Sequence, residues 1–139
     1  MIYIDTNVLV AYINPRDELH HRAISLLSKH DSSELVVSQI VVLELYSVFS
    51  RTMNLSDVEI EALVNYTIRK CGARIIHVEW DELFSKALSY ANALKLRTLD
   101  LLHVTAAHLI GASAIITFDK DVWNKHKTIK DLTGIEVTH

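Results

Sequence analysis

Short apolar runs that alternate with longer helix-forming segments predict an α/β fold, with a central parallel sheet of four to five short strands covered on both faces by helices. Three observations carry that expectation. The runs at residues 2–4, 35–37, 75–78, 114–117 and 135–137 are short and apolar. Each is separated from the next by a stretch that reads as helical. Only three Gly and one Pro occur in 139 residues, so loops should be few and short. Half of the residues are apolar and 22% are charged, which fits one globular domain over residues 1–139 with a sizeable core.

The elements follow in order. Residues 2–4 form the first strand. Asp5, Thr6 and Asn7 offer helix-capping side chains ahead of the apolar segment 8–13. Asn14 and Pro15 read as the cap and first residue of a second helix, with Leu19, Ala23, Ile24, Leu26 and Leu27 on its apolar stripe. Residues 35–37 form the second strand, followed by Ser38. The segment 39–53 is a third helix, apolar enough to expect burial over much of its surface. Ser56-Asp57-Val58-Glu59 is a capping box that opens a fourth helix, and Cys71-Gly72 closes it. Residues 75–78 are the third strand. A helix near 81–95 should turn Leu83, Phe84, Ala87, Leu88 and Ala91 inward. Thr98 caps the next helix, which runs to Gly111. Strands at 114–117 and, after Gly134, 135–137 complete the sheet.

Several functional classes are disfavoured. A net charge of −3 gives no global basic field for nucleic acid, although acids that hold a metal can bind phosphates locally. The lone Cys71 excludes an intrachain disulfide and argues against a cysteine-based zinc site. The first residues lack a basic leader region, and no apolar run nears the roughly 20 residues that span a bilayer. A soluble, cytoplasmic protein without membrane contact is expected. No Gly-rich phosphate loop or Gly-x-Ser-x-Gly elbow occurs. His103 and His108 are spaced wrongly for a zinc-binding helical pair, and the adjacent His20 and His21 diverge.

Four acids lie within or at the ends of apolar segments: Asp5, Glu44, Asp100 and Asp119. In open parallel sheets, ligands bind outside the carboxyl ends of the strands, where Asp5 and Asp119 fall. Each acid also has a structural explanation. Asp5 can cap a helix, Asp100 sits in a first helical turn where the dipole favours it, and Asp119 and Asp121 suit a turn. Glu44 resists such an account, because its helical neighbours include Ile40, Val41 and Val48. Carboxylates that share a pocket cannot all ionise without a counter-charge. Mg2+ or Mn2+ suits such hard oxygen ligands, and a bound cation of this kind supports hydrolysis. Thr6, Asn7 and Thr117 are placed to orient the carboxylates. His103, one turn after Asp100, is placed to orient that acid. Arg97, Lys120, Lys125, Lys127 and Lys130 are the basic candidates for phosphate contact.

These motifs resemble the PIN-domain ribonucleases, in particular the VapC-type toxins of prokaryotic toxin–antitoxin pairs, over essentially the whole chain. Ile-Asp-Thr-Asn-Val-Leu-Val-Ala resembles the first motif of the family, with Asp5 its acid. Glu44 matches the helical glutamate. Leu-Arg-Thr-Leu-Asp-Leu-Leu-His-Val-Thr-Ala-Ala matches the third motif, with Asp100 its acid and His103 a common companion. Thr117-Phe118-Asp119-Lys120-Asp121 matches the fourth, and Trp123 replaces a common Phe. The resemblance implies a three-layer α/β/α fold and Mg2+- or Mn2+-dependent cleavage of single-stranded RNA. Asp5, Glu44, Asp100 and Asp119 would be the catalytic metal ligands, with Asp121 serving a second, weaker ion. It also implies a homodimer and an inhibitory antitoxin partner. Apolar residues on the early helices, such as Leu9, Tyr12 and Tyr46, suit either a partner or the core. The alternatives are a PIN nuclease of RNA processing, a non-catalytic RNA-binding module of the same fold, or a receiver-like signalling domain.

Overall fold

A computed structural model describes residues 1–139. Five strands form one sheet: β1 (Ile2–Ile4), β2 (Leu35–Val37), β3 (Arg74–Ile75), β4 (Ala114–Ile116) and β5 (Glu136–Thr138). Their order is β3-β2-β1-β4-β5, and every neighbouring pair is parallel. The central strand pairs on both sides, Tyr3 lying opposite Val36 and Ile115. All residues of β1 and β2 are buried, which explains why these strands read as continuous apolar runs rather than alternating ones.

Eight helices flank the sheet: α1 (Thr6–Ile13), α2 (His20–Leu27), α3 (Gln39–Thr52), α4 (Asp57–Cys71), α5 (Trp80–Leu94), α6 (Thr98–Ile110), α7 (Lys120–Asn124) and α8 (His126–Thr133). Helix α1 packs on α2, α3 and α4, whereas α5 packs on α6 and α8. No helix is long and apolar enough to cross a membrane. The expected capping box at Ser56 and Glu59 forms, and Gly72 closes α4 with φ +79°. A Cβ on Gly72 would lie 2.6 Å from Ser32 Cβ, so both the backbone angle and the space require glycine.

Several expectations need correction. Helix α2 starts at His20 rather than near Pro15. Asn14 instead ends α1, and its side chain accepts from Arg16 N, while Asp17 accepts from Leu19 N, making two successive turns held by side-chain oxygens. Strand β3 covers only Arg74–Ile75. Beyond it, the Gln39 side-chain amide bonds both the N–H and the carbonyl of Val78 and replaces a strand neighbour. Helix α5 buries Leu83, Ala87, Tyr90 and Leu94, leaving Phe84 and Leu88 exposed. Its cap is Glu79, which accepts from Glu82 N. Thr98 is the first residue of α6 and Arg97 its cap position, with no capping side-chain bond. Helix α3 buries Ile40, Val41, Leu45 and Phe49 but exposes Leu43 and Tyr46. Leu9 belongs to the core, and Tyr12 packs against it half-buried. Helix α8 was not expected, because Ile129 is its one buried residue in a charged and polar stretch.

Candidate metal centre

The chain leaves β1 at Asp5, whose N–H bonds the carbonyl of Ile116 at 3.0 Å. This places its carboxylate between the ends of β1 and β4. Asp5 caps α1, accepting from Thr6 N at 2.7 Å through Oδ1. Its Oδ2 accepts from Thr117 Oγ1 at 2.6 Å and from Asn7 Nδ2 at 3.4 Å. The capping role and a place in the site are therefore one arrangement. Three donors satisfy the Asp5 oxygens, although the residue is only 5% exposed.

Thr117 serves both strand ends. Its hydroxyl donates to Asp5 and accepts from Asp119 N at 3.0 Å. Asn7 completes the clamp, since its Oδ1 accepts from Phe118 N at 3.0 Å. Asp119 caps α7 through Oδ1, which accepts from Asp121 N and Val122 N. The short stretch after β4 is thus tied back to the start of α1 by two side chains.

Helix α3 presents Glu44 and helix α6 presents His103 to Asp5. Glu44 Oε1 accepts from Thr6 Oγ1 at 2.9 Å and pairs with His103 Nε2. The same imidazole nitrogen is 3.5 Å from Asp5 Oδ1. His103 therefore orients Glu44 and Asp5, not Asp100 as its spacing on the helix suggested. On its other side, Nδ1 is 2.9 Å from Tyr3 Oη, which lies 2.7 Å from Ser38 Oγ. Tyr3, Ser38 and His103 are all buried, so this chain of hydrogen bonds is sealed from water. Sequence reasoning passed over Tyr3 and Ser38. The signal was a tyrosine in an otherwise aliphatic strand, whose buried hydroxyl needs a partner.

Asp5, Glu44 and His103 bring ligand atoms within 4.8 Å of one another, and so do Asp100, Asp119 and Asp121. Asp5, Thr6, Asn7, Glu44, Asp100, His103 and Asp119 line a common cleft of about 350 Å³. Asp121 stands exposed at the rim, 3.3 Å from Arg97 Nη2. Arg97 Nε is also 3.8 Å from Asp100 Oδ2.

The electrostatics show an excess of negative charge. Burial, followed by the charges of Asp119 and Asp5, pushes the Asp100 carboxyl up to about 6. Burial also works against the charge of Glu44, but the His103 hydrogen bond and charge overcome it and hold Glu44 below its ordinary range. Burial disfavours charge on His103 as well, yet Asp5 and Glu44 raise it above its ordinary value. The donor set of carboxylate oxygens with one imidazole nearby fits a hard divalent cation. Beside burial, the neighbouring Asp119 and Asp5 charges raise Asp100, and Arg97 and His103 offset them only in part.

The family model described as "PIN domain" matches residues 2–127. The solved structures that resemble the fold include VapC20 from Mycobacterium tuberculosis, described as a sarcin-ricin loop cleaving toxin. It is 19% identical with a TM-score of 0.71, covering 89% of this chain and 94% of that one. VapBC2 from Rickettsia felis, bound to a DNA fragment from its promoter, is 21% identical with a TM-score of 0.68 and full coverage of both chains. FitAcB from Neisseria gonorrhoeae is 18% identical with a TM-score of 0.67, covering 100% of this chain and 97% of that one. No curated protein sequence matches the chain.

Proposed function

The chain belongs to the PIN domain family, and we propose that it is a Mg2+- or Mn2+-dependent endoribonuclease that cleaves single-stranded RNA as the toxin of a toxin–antitoxin pair. The observation that carries this reading is the convergence of Asp5, Glu44, Asp100 and Asp119 on one cleft at the carboxyl ends of β1 and β4. These four acids would hold the cation, and Asp121 at the rim would serve a second, weaker one. A cation held there would make a water easier to deprotonate, and so more nucleophilic at neutral pH, and would offset charge that gathers on the phosphoryl group.

The chain's own residues do the positioning. Thr117, Asn7 and Thr6 N fix both oxygens of Asp5, and Thr6 Oγ1 with His103 fixes Glu44. Both threonine hydroxyls of the site donate to carboxylates, so neither is free to act as a nucleophile. This favours attack by water over covalent catalysis.

The toxin reading draws on the relatives, whose structures are described as toxins or toxin–antitoxin complexes. An apolar groove supports a protein partner: Ile13, Phe49, Met53 and Leu63 line it, and it shares Val10 and Val48 with the acidic cleft. An antitoxin segment seated there would reach the acids. The stacked Trp80–Phe84 pair and Leu88 on α5 are exposed apolar residues that suit a homodimer contact. Cytoplasmic RNA would be the substrate. A receiver domain is disfavoured, because its sheet sets the first strand beside the third, whereas here β1 lies between β2 and β4.

The reading is tested by incubating single-stranded RNA with the purified wild type and Asp5→Asn, in EDTA and in Mn2+. Cleavage by the wild type in Mn2+ alone is expected. RNA binding without cleavage in any divalent cation would point to a non-catalytic module. Full activity in Asp5→Asn would remove the metal-ligand assignment.

A further inference from the structure

Arg97 is the one lysine or arginine that forms an ion pair with an acid of the cleft. It bridges acids from two elements, Asp100 on α6 and Asp121 on α7. Its side chain makes no other polar contact: it stands at the cap position of α6 without a capping bond and is 78% exposed. Exposed pairs of this kind are weak and readily displaced. The two acids it bridges belong to the set whose ligand atoms lie within 4.8 Å of one another.

We infer that Arg97 is a built-in counter-cation for the outer acids, occupying Asp100 and Asp121 in competition with a divalent cation. This rests on the metal-site reading above and adds a threshold to it. A guanidinium that reaches both carboxylates offsets part of their repulsion, and a cation entering the outer set must displace it. Binding at the outer set is therefore weaker than the acids alone would give, and the displaced Arg97 is left at the cleft mouth. A freed guanidinium is suited to a phosphate, which it can grip with two parallel hydrogen bonds.

The test is titration of Mn2+ into the full chain, followed by calorimetry and by the loss of the free Mn2+ paramagnetic signal. Arg97→Gln should tighten the weaker Mn2+ binding by about 3- to 5-fold, the equivalent of about 0.6–1 kcal/mol, at the upper end for a surface ion pair. Lys120→Gln removes a nearby exposed charge that pairs with no acid of the cleft, and should change that binding less than about 2-fold. In an Asp121→Asn background, the gain from Arg97→Gln should shrink. Equal Mn2+ binding by the wild type and Arg97→Gln would overturn the inference, as would an equal gain from Lys120→Gln. If the wild type bound no Mn2+ at all, the metal-site reading itself would fall. That result is distinct from Mn2+ bound equally by both proteins.

Discussion

The Thr117 hydroxyl donates to Asp5 Oδ2 at 2.6 Å. It links the first residue after β4 to the first residue after β1, across 112 positions of sequence. Because the same oxygen accepts from Asp119 N, one hydroxyl holds the two strand-end acids in register. Thr117→Val keeps the shape and removes both bonds. The expected result is a loss of about 1–3 kcal/mol in urea unfolding, together with weaker Mn2+ binding. Unchanged Mn2+ binding in a folded Thr117→Val protein would show that Asp5 needs no such anchor.

Tyr3→Phe cuts the buried chain between Ser38 and His103. His103 Nδ1 then loses its partner while Nε2 still faces Glu44. A cost of about 1–2 kcal/mol is expected, along with a shift in the His103 ring resonances by NMR. Identical His103 resonances in wild type and variant would contradict the coupling.

The metal-free protein should lose stability as pH rises above the ordinary aspartate range. Asp100 is raised to about 6 in the fold, so between about pH 4 and 6 the native state binds more protons than the unfolded one, and stability falls with rising pH. His103, also raised, contributes stability that is complete below its ordinary pKa and is lost as pH climbs through the folded value. Glu44 is lowered and acts oppositely, losing its contribution only as pH falls through its folded value. In EDTA the melting temperature should therefore decline from about pH 5 to 6 through Asp100, and decline further above the ordinary histidine pKa through His103. Saturating Mn2+ should flatten or reverse that slope, and Asp100→Asn should remove its lower half. A rising melting temperature over this range in EDTA would refute the charge assignment.

Gly72→Ala serves as a control away from the cleft. With φ +79° and a Cβ only 2.6 Å from Ser32 Cβ, it should cost about 1–3 kcal/mol of stability. The rate of RNA cleavage per folded molecule should not change. A lower rate in the folded variant would tie the site to the α4 terminus.

The sheet and most helices were legible because buried parallel strands leave continuous apolar runs and because caps such as Ser56 and Gly72 act locally. The misses share a cause in tertiary contacts that local pattern does not carry. Gln39 ends β3 from another element, and α5 exposes Phe84 and Leu88, which by composition alone belong inside. The acids were legible as acids in apolar segments, and the structure brings Asp5, Glu44, Asp100 and Asp119 to one cleft. What spacing hid was the partnership of His103. One helical turn set it beside Asp100, but α3 and β1 approach closely enough to give it Glu44 and Asp5 instead.

The most direct test of the account is the single-turnover cleavage rate of end-labelled single-stranded RNA, measured against Mn2+ concentration for the wild type and Asp100→Ala. The wild-type rate should rise to saturation and vanish in EDTA, and the folded variant should be slower by about 100-fold or more, on the scale of a lost transition-state contact. Cleavage in EDTA, or an Asp100→Ala rate equal to that of the wild type, would contradict it.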